Sequence, residues 1–251
     1  MRAFTETYRP VTVHEWAIYV DIEGFADLFA AHGCMPMAQL TSIIHKLLAS
    51  NVEAVQSIQA VQYGGDGFLI HQLSGVLSKK LDRPIAIATA LMKAALCGGF
   101  TLRAQISTGN SPDIQGCYDQ SLQDHIRAQK SSGYLTYGGG ISGFSNMLLV
   151  PLSGSAILNA YRLHYPKGPL LVLDPLLKSE VEEQAVDVID RVDALEVNWL
   201  KVEHPSVALC LQALGLDERR DFPAMLKAYV QGHSKNLPTD WKDNAGLLLK
   251  H

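Results

Sequence analysis

Two apolar runs held apart by a glycine pair constrain this chain most: Ala60-Val61-Gln62-Tyr63-Gly64-Gly65-Asp66-Gly67-Phe68-Leu69-Ile70. Such runs around Gly-Gly specify a β-hairpin with a tight turn. Asp66 is the unusual residue in it. A carboxylate among three glycines stands where backbone can approach a ligand closely, because no Cβ intervenes. Aspartate also caps turns for purely local reasons, and that reading stands beside the first.

The segments around the hairpin supply the rest of a sheet. Over Glu15–Ile22, Trp16, Ile18 and Val20 alternate with Ala17 and Tyr19, which predicts a central strand apolar on both faces. It runs into the acidic turn Asp21-Ile22-Glu23-Gly24-Phe25. After the break at Gly33 and Pro36, the spacing of Met37, Leu40, Ile43, Ile44, Leu47 and Leu48 predicts an amphipathic helix. Past the hairpin, Asp82-Arg83-Pro84 opens a second helix, with Asp82 as N-cap, ending at Gly98-Gly99. From Phe100 to Ser107 apolar residues alternate with Thr101, Arg103, Gln105 and Ser107, which predicts a fourth strand before a loop over 108–116. Strand, helix, strand, strand, helix, strand is the ferredoxin-like β-α-β-β-α-β order of an α+β domain. In that topology the first strand lies beside the hairpin, so Asp21 and Asp66 converge.

Beyond Ser107 the pattern loosens. A helix is predicted over 118–130, a strand over Met147–Leu152, a helix over Gly154–His164 and a strand over Pro169–Leu173. From Leu176 onward the reading is helical, through Val181–Val192, Ser206–Leu214 and Phe222–Gln231. The chain therefore divides into a catalytic unit over 1–177 and a helical extension over 178–251 packed on it.

Composition narrows the partners. The 251 residues carry a formal net charge of −4 and no dense basic run, which argues against nucleic-acid binding. No stretch has the apolar length of a membrane span, and the start lacks a signal-peptide core, so a cytoplasmic location without membrane attachment is expected. Cys34, Cys97, Cys117 and Cys210 are scattered and form no metal or redox motif.

Two neighbouring carboxylates repel unless a cation lies between them, and hard divalent ions fill that role. Two such ions can promote attack by one oxygen and departure of another. The surrounding residues sharpen the expectation. Asp21-Ile22-Glu23-Gly24-Phe25, the Gly64-Gly65-Asp66-Gly67 turn, Arg103-Ala104-Gln105-Ile106-Ser107-Thr108-Gly109, and Gly154, Ala156, Ile157, Ala160, Arg162 and Leu163 resemble, in that order, four blocks of the class III nucleotidyl cyclase catalytic domain. The likeness spans about Trp16 to Leu177 and implies the palm of that family with extra strands.

The resemblance implies that Asp21 and Asp66, with the Ile22 carbonyl, hold two Mn²⁺ or Mg²⁺ ions, and that the backbone of Glu23, Gly24 and Phe25 takes a triphosphate. Gly65 lies in the same turn. Arg162 matches the family's transition-state arginine; without the family it is a solvated helix arginine. Family members build sites across a two-fold interface, so a homodimer is implied. This chain also departs from the pattern. The ribose-orienting asparagine falls on Leu158, with Asn159 one position later, and the long 110–154 segment offers Arg127 as a reserve arginine. The purine-reading positions fall on Gln62 and Pro151, so both specific purine contacts are lost. Gln62 can donate and accept to uracil or cytosine, and Tyr63 can fill the space of a purine. These altered readers resemble the stand-alone pyrimidine cyclases of bacterial Pycsar anti-phage systems, which implies UTP or CTP as substrate, a cyclic UMP or CMP messenger and a defence role. The alternatives are an adenylate or guanylate cyclase with unusual base contacts, and a nucleotide-binding homologue without turnover.

Overall fold

The computed structural model describes residues 12–56, 58–63, 66–72, 81–112, 136–138, 146–148, 155–163, 167–182, 187–191 and 194–250. Its centre is strand β1 (Thr12–Ile22), which pairs antiparallel with β3 (Gly67–Gln72) on one side and β4 (Leu102–Pro112) on the other. Strand β2 (Ile58–Tyr63) completes the hairpin with β3, so the first four strands run in the order β2-β3-β1-β4. This is the expected ferredoxin-like arrangement.

One face of the sheet carries the main core. Trp16, Ile18, Val20 and Ile22 of β1, Phe68 and Ile70 of β3, and Leu102, Ala104 and Ile106 of β4 all pack into it. Helix α2 (Met35–Leu48) contributes Pro36, Leu40, Ile44 and Leu47, a stripe at helical spacing. Helix α3 (Asp82–Cys97) is buried continuously from Pro84 to Leu96, because later helices cover the side that the sheet does not. Asp82 is the first helical residue here and the N-cap position is Leu81, one residue earlier than expected.

Between β1 and α2 lies a helix the periodicity did not reveal, α1 (Phe25–His32). It buries no residue fully and so leaves no apolar stripe in the sequence. Its N-cap, Gly24, has φ +69°, a left-handed conformation that favours glycine. Strand β4 also differs from expectation. It continues to Pro112 through the predicted loop because β1, starting at Thr12, supplies a partner along its whole length.

After β4 the described chain forms a small ribbon of β5 (Thr136–Gly138) and β6 (Asn146–Leu148), then helix α4 (Ser155–Arg162). The helix predicted over 118–130 lies outside the described residues. Helix α4 packs on the sheet face opposite the main core, where Ala156 and Ala160 meet Ala17 and Leu69. The Ser107 hydroxyl donates to the Ala156 carbonyl and pins the two together. Strand β7 (Leu171–Leu173) then joins β4 in parallel.

The predicted helix over 181–192 is corrected. A short helix α5 (Lys178–Glu182) is followed by β8 (Val188–Arg191) and β9 (Ala194–Val197), and β9 pairs antiparallel with β7. The exposed edge of β7 has backbone groups to satisfy, and Val188-Ile189 and Leu195-Glu196-Val197 are β-formers that meet that need. The seven-stranded sheet therefore runs past position 177. Helices α6 (Pro205–Ala213), α7 (Phe222–Gly232) and α8 (Thr239–Lys250) follow. Their Val207, Leu211, Phe222, Leu226, Trp241 and Leu248 join the same core cluster as the sheet. No helix among the described residues is long and apolar enough to cross a membrane.

Candidate active site

Register fixes the site. Asp21, near the end of β1, lies opposite Gly67 on β3 and opposite Arg103 on β4. Strand alternation puts Tyr19, Asp21 and Arg103 on the face away from the main core. Asp66 immediately precedes Gly67 in the hairpin turn, so the two aspartates meet although they are distant in sequence. Burial and then the Asp66 charge push the Asp21 carboxyl up to about 6, against the pull of Arg103. The convergence expected from topology is present.

Arg103 ties the carboxylates together. Its Nη2 donates to Asp21 Oδ2 at 3.0 Å, and its Nε lies 3.6 Å from Glu23 Oε1. Glu23 is buried, and its Oε2 accepts the Gly168 N–H at 3.2 Å. Burial raises the Glu23 carboxyl above its ordinary range, and Arg103 opposes that shift. Its side chain therefore points into the protein rather than toward a ligand.

Arg103 was not among the residues assigned a role from sequence. The signal was there: pairing the polar face of the fourth strand with the first sets Arg103 directly across from Asp21.

The C-terminal helices reach this network. Asn244 of α8 donates through Nδ2 to the Lys167 carbonyl at 2.7 Å, and Gly168 next to it holds Glu23. Tyr229 of α7 lies near Thr101 and Glu23, and burial raises its hydroxyl above the ordinary range.

A side chain at position 67 would displace Tyr19. A methyl there would come 2.6 Å from Tyr19 Oη and 2.9 Å from Cζ, so the Tyr19 ring occupies the space of a side chain. Gly67→Ala is expected to cost about 1–3 kcal/mol in urea unfolding. A double-mutant cycle with Tyr19→Phe, which removes the nearest atom, should show at least ~0.5 kcal/mol of coupling. Additive effects would refute the contact.

The other expected site residues divide. Gly24 and Phe25 open α1, beside Glu23. Ile22 is buried at the end of β1. Gln62 is exposed, on the strand positions shared with Ile58 and Ala60, which pack toward the main core rather than on the Asp21 face. Tyr63 lies opposite Gly67 at the end of β2. Arg162 and Leu158 are exposed on α4, turned away from the Ala156 and Ala160 face that meets the sheet. Asn159 is half-buried between them. Gly65, Arg127, Pro151 and Gly154 lie outside the described residues.

No group of three or more His, Cys, Asp and Glu among the described residues is arranged to hold a metal ion. The Asp21–Asp66 pair offers two side-chain carboxylates, one of them holding its proton unusually tightly because it is buried and because the other stands beside it. Such a pair fits a hard divalent cation whose remaining ligands are backbone and substrate oxygens.

The sequence matches no known family model and no curated protein. Solved structures similar to it include the guanylyl cyclase Cya2, at 13% identity and TM-score 0.44, covering 79% of this chain and 97% of that one. The adenylyl cyclase CyaB from P. aeruginosa matches at 11% identity and TM-score 0.42, covering 77% and 96%. The guanylate cyclase domain of RhGC from Catenaria anguillulae in complex with GTP matches at 12% identity and TM-score 0.44, covering 73% and 93%.

Proposed function

We propose that this protein is a nucleotidyl cyclase that converts UTP or CTP to the 3′,5′-cyclic monophosphate and pyrophosphate. The observation that carries the reading is the convergence of Asp21 and Asp66 on adjacent strand ends, where the Asp66 charge adds to burial in raising the Asp21 carboxyl. Asp21, Asp66 and the Ile22 carbonyl would hold two Mn²⁺ or Mg²⁺ ions, whose charge lowers the pKa of the 3′-hydroxyl and steadies the leaving group. The first N–H groups of α1, reached through the left-handed turn at Gly24, would take the triphosphate. The 3′-oxygen attacks the α-phosphorus as its proton leaves to solvent, and the bond to the β-phosphate oxygen breaks.

Arg162 stabilises the charge that develops on the transferred phosphoryl group. Exposed on α4, Arg162 is available to a second subunit, and the proposal places it across a homodimer from the other's carboxylates. Asn159 would orient the ribose in that shared site, and Gln62, which its own strand turns away from the Asp21 face, would read the base bound at the other subunit's carboxylates, with Tyr63 and Gly65 beside the base and Arg127 as the second arginine candidate. A pyrimidine product acting as a second messenger in antiviral defence completes the proposal.

Purified protein incubated with Mn²⁺ and each of the four common nucleoside triphosphates is expected to release pyrophosphate and a cyclic pyrimidine nucleotide. Preferred use of ATP or GTP would remove the base assignment and leave the cyclase reading. Binding of a non-hydrolysable triphosphate without turnover of any of the four would replace the enzyme by a binding protein.

A further inference from the structure

A second cleft, with a volume of about 660 Å³, opens between α3, the 200–208 segment and the start of α7. It lies within the size range of small-molecule sites, ~300–1,000 Å³. None of Asp21, Glu23, Asp66 and Arg103 lines it.

The floor is made of buried Lys93, Val207, Leu211 and Phe222. Lys93 is only 5% exposed. Its ammonium donates one long bond, 3.3 Å, to the Val202 carbonyl and sits 5.0 Å above the Phe222 ring. No carboxylate among the described residues comes within 4.0 Å of it. An ammonium has three donors, and lysine is almost never buried without a counter-charge. Lys93 is thus a buried cation with donors to spare, facing open volume.

The mouth carries no net charge to balance it, although Glu203 acts on it from a distance. Arg219 and Arg220 stand there with Glu203 and Glu218, all exposed, and their charges cancel. The unbalanced charge is the single one at the floor, flanked by the hydrocarbon of Val207, Leu211 and Phe222. Lys201, also on the lining, pairs outward with Asp187 at 3.9 Å.

We propose that this cleft binds a small organic acid, its carboxylate or phosphate head on Lys93 and its apolar body on Val207 and Leu211. Burial pushes the Lys93 ammonium down to about 8 even though Glu203 pulls the other way, as expected for a cation awaiting a partner. The site is independent of the proposed cyclase activity.

The 251-residue protein in EDTA is to be titrated with phenylacetate, phenyl phosphate and the neutral analogue 2-phenylethanol, followed by calorimetry and amide NMR. One or both acids should bind and shift amides at 93, 200–208 and 218–223, with the neutral analogue at least about tenfold weaker. The tighter acid identifies the head group. Lys93→Met should weaken the acid at least about tenfold, and Asp66→Asn should leave it unchanged. If Lys93→Met does not fold, the surface variant Arg219→Glu/Arg220→Glu turns the mouth negative and should weaken the acid by itself. The proposal is overturned by no acid binding up to about 10 mM, by equal binding of the neutral analogue, by shifts confined to residues around Asp21 and Asp66, or by an affinity that neither variant changes.

Discussion

Replacing Asp66 with alanine is expected to lower cyclic nucleotide formation at least ~10³-fold, about 4 kcal/mol of transition-state stabilisation. The loss should fall on turnover, because Asp66 lies in a turn and outside the core clusters. The urea midpoint should stay close to that of the parent protein, and removing a neighbouring negative charge should if anything stabilise the fold. Asp66→Asn keeps the size and removes only the charge, so it should be nearly as inactive. Full activity in either variant would end the metal-carboxylate reading. Unfolding of both would make Asp66 a turn residue after all.

The second large effect is on stability and follows from Asp21. Its carboxyl titrates near 6 in the folded protein, against 3.8 for an ordinary aspartate, so the folded state binds the proton more tightly than the unfolded chain. A raised carboxyl contributes stability below about pH 4 that is lost as pH rises through about 6. The full displacement corresponds to roughly 3 kcal/mol as an upper limit. In EDTA, Asp21→Asn should therefore be more stable than the parent by ~1–3 kcal/mol at pH 7.5 and nearly equal to it at pH 4. Mn²⁺ should close or reverse that gap at pH 7.5, adding about 2.7 kcal/mol to the parent at a hundredfold excess over its dissociation constant and little to the variant. Urea denaturation at the two pH values, with and without the ion, measures all four terms. A parent that is the more stable in EDTA at pH 7.5 would show that Arg103 outweighs burial.

Much of the carboxylate pair was legible in the sequence because it follows from topology. Once the order of elements is read from periodicity, β1 must lie beside β3, and Asp21 and Asp66 have nowhere to go but together. Helix α3 was legible for a different reason: its apolar residues run between the Asp82-Arg83-Pro84 start and two glycines. Apart from α1, which buries nothing, the failures share a cause, since each element was decided by a distant partner rather than by its own pattern. Strand β4 continues through Thr108-Gly109-Asn110-Ser111-Pro112, a poor strand sequence, because β1 pairs with it there. Strands β8 and β9 are only four residues each, too short for alternation to be told from a helical stripe, and the edge of β7 decided them. Arg103 escaped because an arginine on a polar strand face carries no signature until the register is known.

The hydrogen bonds around Asp21 span long stretches of chain. Arg103 meets it across 82 positions, Gly168 meets Glu23 across 145, and Asn244 meets Lys167 across 77. Contacts of such range must wait for the loops between them to close, so they form late in folding. On the ribosome, β1 emerges long before the helix that carries Asn244. A half-made chain would hold its aspartates without the framework that sets their spacing, and pulse-labelled hydrogen exchange should find the Gly168 amide, which donates to Glu23, protected only after α3 and the β1–β3 pair.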